Sequence, residues 1–290
     1  MRGIWAAVLT PVDETYAPNA GAAIPYYREL LASGCDGLNL LGTTGEAMSF
    51  GAECRLRFME AVASSGLPME RMMVGTGAAA LDDAVRLTRA AFALGFRAAL
   101  VMPPFFFREA ADDGIAAFLE ALFERANPPA RSILLYNFPR MSGIAFQPRL
   151  IDRLVERFGA IVGGVKDSSN DPALQRDILR RHPGLVVLPG SEADLLEAKA
   201  RGAAGCISGS VALWPQLAQA VWRDGDGATG ATLRAKRALL EGYPFIAAVR
   251  HLTASQRAEP AWERAVPPNV ALGTEDRATL DAAFKTTKTP

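Results

Sequence analysis

Histidine is nearly missing from this chain of 290 residues: only His182 and His251 occur. Imidazole is the commonest metal ligand and the usual general base near neutral pH, so a multi-histidine metal site or a Ser-His-Asp triad has almost no material. Lysine is scarce too, with five (Lys166, Lys199, Lys236, Lys285, Lys288) against 26 arginines. A base or nucleophile is therefore sought among Lys, Tyr, Asp and Glu. The three cysteines, Cys35, Cys54 and Cys206, are odd in number, widely spaced and without a CxxC pair. That pattern argues against a disulfide framework or zinc ribbon and for free thiols in a reducing cytoplasm. An excess of either charge is absent as well: 31 basic and 31 acidic side chains give zero net charge, with no long block of one sign. Nucleic-acid binders carry a basic surplus to displace counterions, so that class is disfavoured. No apolar run approaches the ~20 residues of a membrane span. The apolar stretch from Ile4 to Leu9 stops at Thr10-Pro11 without a cleavage-type ending and reads as a strand, not a signal peptide.

What the chain does have is a 50% hydrophobic composition, enough for a large core, and no linker-like segment. Short apolar, branched runs predict eight strands: Ile4 to Leu9, Gly37 to Leu41, Met72 to Gly75, Ala98 to Met102, Ser132 to Tyr136, Ile161 to Lys166, Leu185 to Leu188 and Cys206 to Ser208. Amphipathic stretches between them, such as Asp82 to Leu94, Asp112 to Ala126, Gln147 to Phe158 and Glu192 to Arg201, have helical period and length. Asp171-Pro172 reads as an N-cap before a first-turn proline, Ser191 with Asp194 as a capping box, and Gly34, Gly95 and Gly202 as helix stops. Eight alternations of strand and helix, with strands apolar throughout, predict an α/β fold of the TIM (β/α)8 barrel type; an open doubly wound sheet is the runner-up. The barrel is expected over residues 1–224, with Leu213 to Trp222 as its last helix and residues 225–290 as a C-terminal helical extension packed on it.

In such a barrel, reactive groups sit at the C-terminal ends of strands and in the loops that follow. Lys166 ends the sixth predicted strand. Arginine cannot be deprotonated to a nucleophile, whereas a desolvated lysine can form an imine with a carbonyl; the plain alternative is a structural pair with Asp167. Tyr136 ends the fifth strand, where its hydroxyl can reach the Lys166 amine and move protons; the alternative is a strand-end cap on the core. Gly42-Thr43-Thr44-Gly45-Glu46 follows the second strand, and its hydroxyls and amides suit a carboxylate, although a polar turn into the next helix explains it equally. Gly75-Thr76-Gly77 lacks the last glycine of a dinucleotide fingerprint, and no Walker-type lysine follows any glycine loop.

Taken together, Gly42-Thr43-Thr44-Gly45-Glu46, Tyr136-Asn137-Phe138-Pro139 and Gly164-Val165-Lys166-Asp167 resemble the dihydrodipicolinate synthase and N-acetylneuraminate lyase superfamily. Met102-Pro103-Pro104, Gly205-Cys206-Ile207-Ser208 and Pro267-Pro268 extend the likeness over nearly the whole chain. The resemblance implies a class I aldolase or lyase, a cytoplasmic homotetramer using neither metal nor cofactor, acting on pyruvate or a related 2-oxo acid and an aldehyde partner. Carried over by position, it implies that Lys166 forms the Schiff base and Tyr136 relays protons. Thr43 and Thr44 bind the carboxylate, Thr44 shares the relay, and the Ile207 carbonyl faces the imine.

Two positions depart from the synthase pattern. The arginine that grips the aldehyde's carboxylate lies five positions after the tyrosine; here that residue is Met141, with Arg140 adjacent. The loop after strand four, where a tyrosine is donated across a subunit contact, reads Phe105-Phe106-Phe107. That loop and Lys166-Asp167-Ser168-Ser169 look more like the sugar-acid branches. Ser168, Gly190, Glu192, Ser208 and Arg140 then join Thr43, Thr44 and Ile207 as substrate-binding candidates. Ser191 and Glu192 are equally explained by helix capping and the helix dipole. The best reading is a 2-keto-3-deoxy sugar acid aldolase. The alternatives are a dihydrodipicolinate synthase condensing pyruvate with aspartate semialdehyde, or a non-catalytic 2-oxo acid binding protein on the same scaffold.

Overall fold

The computed structural model describes residues 1–287. Its eight strands are β1 (Gly3–Ala7), β2 (Gly37–Leu40), β3 (Met72–Gly75), β4 (Ala98–Val101), β5 (Ile133–Asn137), β6 (Val162–Asp167), β7 (Val186–Pro189) and β8 (Gly205–Ser208). They pair in parallel in the order β7-β6-β5-β4-β3-β2-β1-β8. The Ala204 amide donates to the Val187 carbonyl at 2.9 Å, which draws the outer strands β7 and β8 together. With a helix after each strand this is a TIM barrel.

Alternation along the strands separates two apolar environments. In β2, Leu38 and Leu40 belong to the large outer cluster shared with the helices. Trp5, Met73, Leu100, Leu134, Leu188 and Ile207 form a separate cluster inside the barrel, to which Tyr136 also belongs. Both sides of every strand are thus covered, which is why the strands read as unbroken apolar runs.

Helix ends follow their local chemistry. Asp171 accepts from the Ala173 and Leu174 amides at 2.8 and 3.2 Å, with Pro172 opening the helix Pro172–Arg181. The expected helix from Glu192 is shorter and starts at Leu195. Ser191 Oγ is spent on the Ala193 amide at 3.1 Å, closing a local turn before the helix begins. The last barrel helix is Pro215–Asp224, preceded by a 3-10 turn over Ser210–Leu213, because Pro215 sits best at a first helical position.

Beyond it run helices Gly227–Ala238, Phe245–Arg257 and Thr274–Thr286. Leu233, Val249, Trp262 and Leu280 from this segment share one apolar cluster with Ile4, Leu38 and Val74 of the barrel. Trp262 meets the Tyr26 ring edge-on at 4.7 Å. The extension therefore packs on the barrel as expected, although its last three residues, 288–290, lie outside the described residues.

One irregularity bears on the site. In the β5/β6 ladder Ile133 faces Val162 but Leu134 faces Gly164, so Gly163 is an extra, bulged residue. A Cβ at Gly163 would stand 2.5 Å from the Arg131 carbonyl oxygen, and one at Gly164 2.2 Å from that of Val186. Only glycine fits both approaches. The bulge sets the register in which Lys166 faces Tyr136 and Asp167 faces Asn137.

Candidate active site

Lys166 and Tyr136 end neighbouring strands and are both buried within the barrel mouth. The Lys166 amine lies 4.2 Å from the centre of the Tyr136 ring, a cation–π distance. The Tyr136 hydroxyl is 3.1 Å from Thr43 Oγ1. All three line a cavity of about 730 Å³ at the C-terminal ends of the strands, together with Thr44, Ile207, Ser168 and Gly190.

Asp167 is not the partner of Lys166. It turns to the other side of β6 and accepts from Asn137 Nδ2 at 2.8 Å, Gln175 Nε2 at 2.9 Å and the Ser169 amide at 3.2 Å. Asn137 in turn accepts from the Phe146 amide at 3.0 Å. The acid holds the loops after β5 and β6, and the lysine amine faces the cavity.

The threonine loop is held from behind. Glu46 has a left-handed backbone (φ 52°) and a fully buried carboxylate. That carboxylate binds Arg250 of the C-terminal segment and accepts from Asn269 Nδ2 at 2.9 Å. Gly209, just past β8, makes room for Thr44: a Cβ there would lie 2.7 Å from Thr44 Oγ1 and 2.9 Å from the Phe245 ring. Gly190 does the same for Ser168, whose hydroxyl would be 2.0 Å from a Cβ at that position.

Two candidates lie away from the cavity wall. Glu192 is fully buried and accepts from Trp214 Nε1 at 3.1 Å. Ser208 is buried with its hydroxyl 3.3 Å from that of Ser210. Neither is brought to Lys166, whereas Arg140 lines the cavity from the exposed turn after β5. Ser191 both closes its turn and lines the cavity. Arg237, Tyr243, Phe245 and Asn269 also line the cavity and carry no local sequence cue to that role. Those residues belong to a segment whose helical periodicity carries no chemical signal. Among the described residues, no group of three or more His, Cys, Asp or Glu side chains is placed to hold a metal ion.

The sequence model of the dihydrodipicolinate synthetase family matches residues 1–260. The chain belongs to that family. A DapA-like lyase of Chloroflexus aurantiacus, itself uncharacterized, is 34% identical and the match spans 98% of this chain and 96% of that protein. A protein of Escherichia coli K12 named as a probable 2-dehydro-3-deoxy-D-pentonate aldolase is 26% identical over 85% of this chain and 86% of its own length. The crystal structure of dihydrodipicolinate synthase from Agrobacterium tumefaciens superimposes with a TM-score of 0.93 at 31% identity, covering 99% of each chain. As a member of the family the chain is a lyase, a Schiff-base-forming, pyruvate-dependent aldolase of class I.

Proposed function

We propose that this enzyme makes and breaks the carbon–carbon bond of 2-keto-3-deoxy sugar acids through an imine on Lys166. The observation that carries the reading is the meeting of the Lys166 amine, the Tyr136 hydroxyl and the Thr43 hydroxyl in one cavity, with the neighbouring Asp167 bound instead to Asn137 and Gln175. In this scheme the amine adds to the C2 carbonyl of the 2-oxo acid and water leaves. The protonated imine then draws electrons from the neighbouring bond. Tyr136 takes the proton of the 4-hydroxyl as the C3–C4 bond breaks and the aldehyde departs. The resulting enamine is protonated at C3, and hydrolysis releases pyruvate and restores the lysine. Thr43 and Thr44 hold the carboxylate and link Tyr136 to it, with the Ile207 carbonyl beside the imine.

Substrate choice is supported by the wall beyond the lysine. Ser168, Ser169, Asn170 and Ser191 line it with groups suited to sugar hydroxyls, and the position expected to carry the synthase arginine is Met141. The similarity to the pentonate aldolase points the same way. The synthase reading is favoured by one specific finding, the close superposition on the Agrobacterium tumefaciens enzyme, together with Arg140 at the cavity rim.

A coupled assay for pyruvate release from a panel of keto-deoxy sugar acids, run beside condensation of pyruvate with aspartate semialdehyde, separates them. Release without condensation is expected. Condensation without release would overturn the sugar-acid reading. The same proposal includes a cytoplasmic homotetramer, in which the exposed, edge-to-face pair Phe106 and Phe107 of the loop after β4 is covered by a second subunit.

A further inference from the structure

The C-terminal segment brings to the cavity a cation that has no ion-pair partner among the described residues. Arg237, in the helix Gly227–Ala238, lines the same space as Lys166 and Thr44. Its Nε is buried without a hydrogen-bond partner, and among the described residues its side chain forms no ion pair. Arg234, one turn earlier in the same helix, is by contrast paired, with Asp194 and Glu197. Glu241, four residues on, is exposed at the rim and leaves Arg237 without a counter-charge.

The guanidinium is nevertheless held in place. It stacks on the Phe245 ring with its central carbon 4.7 Å from the ring centre. That same ring reaches the space above Gly209, where Thr44 Oγ1 also lies. One aromatic ring therefore separates Arg237 from the threonine of the carboxylate site. A partly buried guanidinium with no partner is costly to keep, and its planar fork matches a carboxylate.

We propose that Arg237 binds a second carboxylate at the far end of the substrate, so that the 2-oxo acids preferred by this site are dianions. The inference rests on the Schiff-base reading of Lys166 given above. It places the distal anion at the helix Gly227–Ala238 and not at Arg140, which is exposed on the turn Pro139–Ser142.

The test needs no turnover. The full-length enzyme is incubated with 2-oxoadipate or with 2-oxohexanoate, which has the same chain length without the second carboxylate. Borohydride then traps the imine, and the Lys166 adduct is quantified by peptide mass spectrometry against a pyruvate reference. The dicarboxylate is expected to half-saturate the wild-type enzyme at a concentration about tenfold lower or better, the scale of one hydrogen-bonded charge pair. Arg237→Met is expected to erase that ratio, and Arg237→Lys to keep part of it. Equal half-saturation in the wild type would overturn the proposal, independently of how any variant folds. So would a ratio that survives Arg237→Met, or one lost only in Arg140→Met. Failure of pyruvate itself to label Lys166 would instead refute the Schiff-base reading on which the proposal stands.

Discussion

Glu46 and Arg250, 204 positions apart in the chain, form a fully buried ion pair behind the threonine loop. Arg250 Nε donates to Glu46 Oε2 at 2.7 Å, and the same guanidinium donates to the carbonyls of Thr10 at 2.9 Å and Trp262 at 3.2 Å. Through Arg250, the Glu46 carboxylate thus ties the loop after β2 to the loop after β1 and to the C-terminal segment.

Removing one partner leaves the other charge buried alone. Glu46→Ala is therefore expected to cost about 3–5 kcal/mol in urea unfolding and to raise the concentration of 2-oxo acid needed to saturate the site. Glu46→Gln, which keeps an acceptor, loses less. An unchanged denaturation midpoint in Glu46→Ala would show that the pair does not hold the loop.

Tyr136→Phe keeps the ring over Lys166 and removes the hydroxyl that meets Thr43. Turnover is expected to fall about 10²-fold or more, as for a lost acid–base group, while borohydride still traps pyruvate on Lys166. Wild-type turnover in this variant would move the proton relay elsewhere.

Thiol reactivity separates the three cysteines. Cys35 is fully buried, and burial pushes its thiol up to about 12; Cys206, also fully buried, is held well above the usual thiol range by the same burial. Since the thiolate is the reactive form, iodoacetamide at pH 8 is expected to modify only the half-buried Cys54 in the native enzyme. Native labelling of Cys35 or Cys206 would contradict the packing around β1, β2 and β8.

Phe106 and Phe107 are 75% and 73% exposed, too apolar a pair to leave in water without cover. If the proposed tetramer forms through this loop, replacing both with serine shifts the mass measured by light scattering toward smaller species. A wild-type mass in the variant would place the subunit contact on another face.

The barrel was legible because its eight strands are apolar on both faces and its helices carry amphipathic periods, local signals that tertiary contacts reinforce. The placement of Lys166 and Tyr136 at neighbouring strand ends facing one cavity was legible because strand ends open to the barrel mouth in this fold. Glu46 was visible only as part of a motif: its partner Arg250 is one arginine among 26, and nothing local distinguishes it. Glu192 misled for a related reason. Its position after β7 suits a ligand, but Trp214, 22 residues further along the chain, holds its carboxylate in the interior, a contact that no local pattern signals. Arg237 was invisible in the same way, since its meaning depends on which side of its helix meets the barrel mouth.

The central claim is that Lys166 is the imine-forming residue, and the most direct measurement is borohydride reduction of the enzyme in the presence of pyruvate, followed by peptide mass spectrometry. One pyruvate-derived adduct per chain is expected, on Lys166, absent when Lys166→Arg is treated in the same way. An adduct on any other lysine, or undiminished labelling of the Lys166→Arg variant, would contradict it.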